Sequence, residues 1–180
     1  NNFVDQKNEI VDETILINEN KIKIKRTKGL TIQSNNKDIF IKQNYKKDWI
    51  VFFNSDLKNI NINYLGSKPE NKIKTERFNF KGLTGCLNFF NVDFKGNINI
   101  NYENSNCEDG LNIRNSKGKI QNIKIKNSIA DAIDIDFSDI SIDNVFVSNA
   151  DNDCIDLSFG SYKIKNTFVN NCKDKSVSLG

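Results

Sequence analysis

Residues 131–160 read DAIDIDFSDISIDNVFVSNADNDCIDLSFG, and the eight residues DAIDIDFS at 131–138 return 22 positions later as DCIDLSFG at 153–160. The same spacing extends outward. Leu111, Ile133, Ile155 and Val177 are 22 apart, as are Ile113, Ile135, Leu157 and Leu179. A second apolar set repeats as Ile120, Ile142, Ile164 and as Ile125, Val147, Val169. Asparagines hold the period too, as Asn122, Asn144, Asn166 and as Asn127, Asn149, Asn171. Self-similarity at one fixed period marks a solenoid. Within each period apolar and polar residues alternate and no helical periodicity appears, so the repeat is built of strands. The expected fold is all-β, a single parallel β-helix of about 22 residues per coil over 1–180. Identical positions then stack at roughly 4.8 Å. Apolar ladders fill the interior, and Asn side chains bond amide to amide at the bends.

Upstream the spacing loosens. Leu57–Ile62 matches Ile120–Ile125, and Lys95–Ile98 matches Lys117–Ile120. Leu30/Ile32, Ile39/Ile41, Trp49/Val51/Phe53, Phe78/Phe80, Leu87/Phe89 and Val92/Phe94 are further strand candidates. Trp49 and the phenylalanines are expected to fill the core. Gly66–Thr75 holds the only proline and no periodic signal, so it reads as a loop leaving the coil. The length then accommodates on the order of eight coils. Neither end shows an amphipathic cap helix. The reading is therefore a piece of a longer protein, its end capped by another domain or chain.

Composition narrows the function classes. Residues 1–90 carry 16 Lys/Arg against 10 Asp/Glu, and residues 91–180 carry 10 against 13. The lysines of the basic half alternate with isoleucine, as in Lys21-Ile22-Lys23-Ile24-Lys25. That is the solvent face of a strand, so no nucleic-acid partner is expected. No apolar run reaches the roughly 20 residues of a membrane helix. The four cysteines form no CxxC pair and the chain has no His, which argues against a zinc site. They are expected as buried free thiols, a Cys154–Cys172 bridge being the alternative.

The acidic columns are the candidate site. Alternation points Asn112 and Arg114 outward, then Asp134 and Asp136 one coil on, then Asp156 and Ser158. Asp109, Asp131 and Asp153 form another column at the strand entry. Asp131, Asp134, Asp136, Asp153 and Asp156 should therefore share an outer patch beside Asn112 and Arg114. Stacked carboxylates repel. A raised pKa, the Arg114 guanidinium or a calcium ion on Asp134 and Asp156 would relieve that. Asp131 and Asp153 also suit turn capping, which needs no ligand.

The segment 131–160, followed by KDKSVSLG at 173–180, resembles the coils of pectin-lyase-like right-handed β-helices. It is most similar to polygalacturonase-type coils with NTDGID, GDDCI and GHGISIG motifs, over about residues 105–180. Asp131 corresponds to the Asp of the first motif, Asp153 to the second Asp of the second, and Val177–Gly180 to the end of the third. Asn152 stands where that Asp pair has its first member, and the catalytic His is missing. The resemblance implies a right-handed parallel β-helix and a polysaccharide site with Asp131 and Asp153 as catalytic candidates. A uronate lyase or epimerase would add Arg114 or Lys175 as base and hold substrate or calcium on Asn112, Asp134, Asp136 and Asp156. A glycoside hydrolase is the weaker implication. Against these stands the reading with the fewest requirements. It is a non-catalytic β-helix module of an extracellular or surface protein, binding glycan or protein or serving as a rigid scaffold.

Overall fold

The computed structural model describes residues 9–68 and 81–180; Phe78, Phe80 and residues 69–75 of the expected loop lie outside them. The described chain is all strand and turn, a β-solenoid of about six turns. Its first face stacks β5 (Ile50–Lys58), β7 (Gly85–Lys95), β9 (Asp109–Arg114), β11 (Asp131–Asp136), β13 (Ile155–Ser158) and β15 (Ser178–Leu179), every neighbour parallel. The long strands β10 (Lys117–Ser128), β12 (Asp139–Ala150) and β14 (Ser161–Cys172) continue the later coils and bend midway. Their second halves stack on β8 (Asn99–Ser105), β6 (Asn61–Leu65) and β4 (Asp38–Lys42).

Register follows the apolar columns. Ile50, Leu87, Leu111, Ile133 and Ile155 stack, as do Phe52, Phe89, Ile113, Ile135 and Leu157, and all are buried. Burying a methylene removes it from water at about 0.8 kcal/mol, and a one-residue slip would turn each column outward. The expected strand Trp49/Val51/Phe53 is off by that one residue, because the inward partners of Leu87 and Phe89 are Ile50 and Phe52. Leu57–Ile62 is displaced by two from its expected match. Asn61 and Ile62, not Asn59 and Ile60, stack through Asn99 and Ile100 on Asn122 and Ile123. Lys117 likewise stacks on Asp93 rather than Lys95. A shift of two keeps every side chain on its face, so alternation alone does not detect it.

The asparagine ladder is longer than the period shows. Asn61 donates to Asp38, Asn99 to Asn61, Asn122 to Asn99, Asn144 to Asn122 and Asn166 to Asn144, at 2.6–2.9 Å. A second ladder runs Asn171, Asn149, Asn127, Asn104, all at positive φ. Asn tolerates that left-handed backbone while its amide bonds to the next coil. Replacing Asn144 by Ala orphans an acceptor on Asn122 and a donor on Asn166. The expected loss is about 2 kcal/mol, or roughly 5 °C in the melting midpoint. A melt of Asn144→Ala indistinguishable from the parent would remove the ladder from the account of stability.

The N-terminal end differs from a stack of coils. β2 (Asn20–Thr27) pairs antiparallel with β1 (Ile10–Ile17) and lies antiparallel on β5. β3 (Thr31–Asn35) and β4 form a second antiparallel pair. These hairpins cover the first edge without a helix, and they reduce the expected eight coils to about six. Ion pairs Lys25–Asp12, Arg26–Glu13 and Lys28–Glu9 line the outer hairpin, charge that discourages edge pairing.

Two expectations about side chains are corrected. All four cysteines are bridged, Cys86 to Cys107 and Cys154 to Cys172, leaving no free thiol. Each bridge closes one coil on itself, 21 and 18 residues apart. The Cys154–Cys172 bridge, named as the alternative, forms, whereas the Cys86–Cys107 bridge was not expected, since neither pair falls on the 22-residue period. Phenylalanines are also not uniformly core. Phe52, Phe89 and Phe94 are buried, but Phe40, Phe137, Phe146, Phe159 and Phe168 are exposed.

Candidate functional site

Parallel register builds the acidic columns on the first face. Val51, Asn88, Asn112, Asp134, Asp156 and Ser178 form one outer column, and Arg114 stacks on Asp136 in the next. Asp109 and Asp131 pair at the strand entry. The expected residues therefore do come onto one side of the solenoid. The patch is not open along its length, however. Asn112 has no exposed surface, and Asp109 and Asp153 are buried, whereas Asp131, Asp134, Asp136 and Asp156 are half-buried. Asn112 points outward by register yet lies under cover, which removes it from direct contact with a ligand.

Asp131 and Asp153 hold the turns of the coils that follow. Asp131 Oδ1 accepts from the backbone N–H of Asp153 at 2.8 Å and from Asn152 Nδ2 at 2.7 Å. Asp153 Oδ1 accepts the backbone N–H of Lys175 at 2.8 Å. The two carboxylates thus satisfy turn donors that would otherwise be orphaned, one coil apart. Lys175 Nζ sits 3.1 Å from Asp174 and 3.7 Å from Asp153. The hydrogen bond that Lys175 donates to Asp174, with the charge of Asp153, raises the lysine's pKa, the direction opposite to that of a general base. The Arg114 guanidinium donates to the Gly82 carbonyl at 3.2 Å and lies 5.1 Å over the Phe137 ring.

Asp109, absent from the expected patch, supplies the most perturbed group. Its carboxyl is hydrogen-bonded to Asp134 and accepts the Thr84 hydroxyl. Burial, then the charge of Asp134, pushes its pKa well up. Asp134 is raised to about 7, by burial first and then by Asp136 and Asp156. Two carboxyls in contact away from water do not both ionise, so the pair holds a proton near neutrality. Asn112 Nδ2 donates to Asp134 at 2.8 Å, while its own Oδ1 is buried without a partner. Asp131 is raised as well, chiefly by burial. The upward shifts of Asp109 and Asp134 are in the direction that repulsion between stacked carboxylates produces, and Arg114 stacks beside them on Asp136. Among the described residues no group of three or more Cys, Asp or Glu side chains is disposed to hold a metal ion. Among them also, no helix is long and apolar enough to cross a membrane.

A second feature lies at the corner after the first face. The corner residue has positive φ in every coil, at Asn54, Asn91, Asn115, Phe137 and Phe159. The first three are the residue type that accepts this backbone; a phenylalanine there costs about 1–3 kcal/mol. Both rings are exposed, 47% and 69%, and stack at 5.2 Å between centroids with planes 8° apart. Beneath them Ser116 and Ser138 lock the corner. Each hydroxyl donates to the carbonyl two residues back, and the Ser138 oxygen accepts the Ser116 N–H. Phe137 and Phe159 stand 22 and 44 residues after Asn115, in its column, although the phenylalanines were expected in the core.

The chain matches no protein-family model, no curated protein and no solved structure. The class defined by fold and site is the parallel β-solenoid with asparagine ladders.

Proposed function

We propose that this chain is a non-catalytic β-solenoid module of pectin-lyase-like architecture. It binds a glycan or a protein, or acts as a rigid scaffold, within a surface or assembly protein. One observation carries the reading: Asp131 and Asp153, the carboxylates that the resemblance would make catalytic, hold backbone N–H groups of the following turns. These bonds to Oδ1 give both carboxylates a structural role that accounts for them without catalysis. Two disulfides support an extracellular or surface setting, because cytosolic thiols are kept reduced.

A polysaccharide-active enzyme, a uronate lyase or epimerase before a hydrolase, is the second reading. It is favoured by Asp134, half-buried and titrating near neutrality. In it Asp134 and Asp156 are the residues to meet calcium or substrate. Incubation of the chain with uronate and neutral polymers, with and without calcium, separates the two. The expected result is no unsaturated product, no epimer and no new reducing end. Product formation that Asp134→Asn abolishes would replace the module with the enzyme.

A further inference from the structure

Phe137 and Phe159 do not stand alone. They close one end of an open groove of about 780 Å³ that runs along the solenoid axis. One wall is the left-handed corner, Asn54, Asn91, Asn115, Phe137 and Phe159. The other is the next outward column, Asp56, Asp93, Lys117, Asp139 and Ser161. The groove crosses five consecutive coils, and four coil rises of about 4.8 Å make it roughly 19 Å long.

We propose that this groove binds a linear polysaccharide of neutral or amino-sugar units, an assignment that rests on the module reading above. A surface that repeats once per coil suits a ligand that repeats at a similar length, as an extended pyranose chain does. Primary amides both donate and accept, which matches vicinal hydroxyls. Asn91 donates one amide hydrogen to Asn54 at 2.7 Å, and the rest of that capacity faces the groove. Phe137 carries Arg114 over its ring and stacks on Phe159, so the two phenylalanines offer the groove exposed ring edges, an apolar rim against which the C–H groups of a sugar can pack. Their left-handed backbone is the sign that the rings are retained for something other than folding, since Asn fits the corner without strain.

Charge selects among glycans. The lining has three carboxylates, Asp56, Asp93 and Asp139, against the single cation Lys117. Lys95 bridges Asp56 and Asp93 at 2.6 and 3.4 Å, and Lys117 approaches Asp93 at 3.8 Å. Asp139, at the Phe137 end, has no ion pair among the described residues. A uronate chain would set its own carboxylates against these, whereas an ammonium-bearing sugar would be drawn to Asp139.

Calorimetric titration of the full chain with soluble glucosamine, glucose and galacturonate oligomers tests this, with product analysis on the same samples. Glucosamine oligomers should bind tightest, and more tightly at low salt than at high. Glucose oligomers follow, and galacturonate binds at least about tenfold more weakly than glucosamine, a gap of about 1.4 kcal/mol. The double variant Phe137→Asn/Phe159→Asn continues the native Asn corner, so its melting midpoint should equal or exceed the parent's while binding falls about tenfold or more. Galacturonate binding as tight as glucosamine would overturn the charge class. Binding by none of the three, or binding unaffected by the double variant, would overturn the site. Turnover of a bound oligomer would instead sink the non-catalytic reading and leave the groove standing.

Discussion

Asp134→Asn should raise the melting midpoint at pH 8 by roughly 10 °C. Asp134 has its folded pKa raised from 3.8 to about 7, by burial and then by Asp136 and Asp156. The folded state therefore binds more protons than the unfolded state between about pH 4 and pH 7, and stability falls as pH rises through that window. Above it the full penalty is present. A shift of about three units corresponds to about 4 kcal/mol, and each kcal/mol moves a chain of this size by about 2–4 °C. The new amide would still accept from Asn112 and could donate to Asp109, so the geometry survives without the like charge. At pH 4 the parent pair is already protonated and the gain should vanish. Melts of both proteins across pH 4–8 provide the check. Equal gains at pH 4 and pH 8 would show that the effect is packing rather than proton linkage. Asp109 is shifted in the same direction, so the parent itself should be most stable on the acid side of neutrality.

Opening either disulfide should destabilise by about 3 kcal/mol, because each closes a loop of 18–21 residues. In a solenoid this effect is local as well as global. Each coil is held chiefly by its two neighbours, and a bridge that ties a coil's start to its end restrains it without their help. Cys154→Ser/Cys172→Ser should lower the midpoint by roughly 10 °C and expose the last coils first to hydrogen exchange. Cys86→Ser/Cys107→Ser should produce a comparable loss centred on the middle coils. Denatured parent should show no titratable thiol before reduction. Four free thiols in that assay, or reductant without effect on the melt, would refute the bridges.

How much of this was legible depends on where in the chain one looks. From Asp109 onward each coil is 22 residues, so stacked partners can be found by counting, and the columns through Leu111, Ile113, Asn122 and Asn127 are as expected. Before that the separation changes from coil to coil, 23 for Asp38 and Asn61, 37 for Ile50 and Leu87, 38 for Asn61 and Asn99, and 24 for Leu87 and Leu111. Alternation then reports only which side a residue faces, and a slip of one or two leaves the pattern equally plausible. The antiparallel hairpins of residues 10–42 were hidden for the same reason, since alternating Ile and Lys reads alike in either strand direction.

The candidate site divides in the same way. Period and alternation sufficed to bring Asp131, Asp134, Asp136, Asp153 and Asp156 to one side of a β-solenoid, because register in a stack is a property of spacing alone. Burial, partnership and backbone conformation are not. That Asn112 is covered, that burial and mutual charge raise the Asp109 and Asp134 carboxyls, and that Cys86 meets Cys107 were decided only when the coils closed around a common core. The same closure bent the chain left-handed after each first-face strand. It set two phenylalanines, expected in the core, as exposed and strained rings at the rim of a groove.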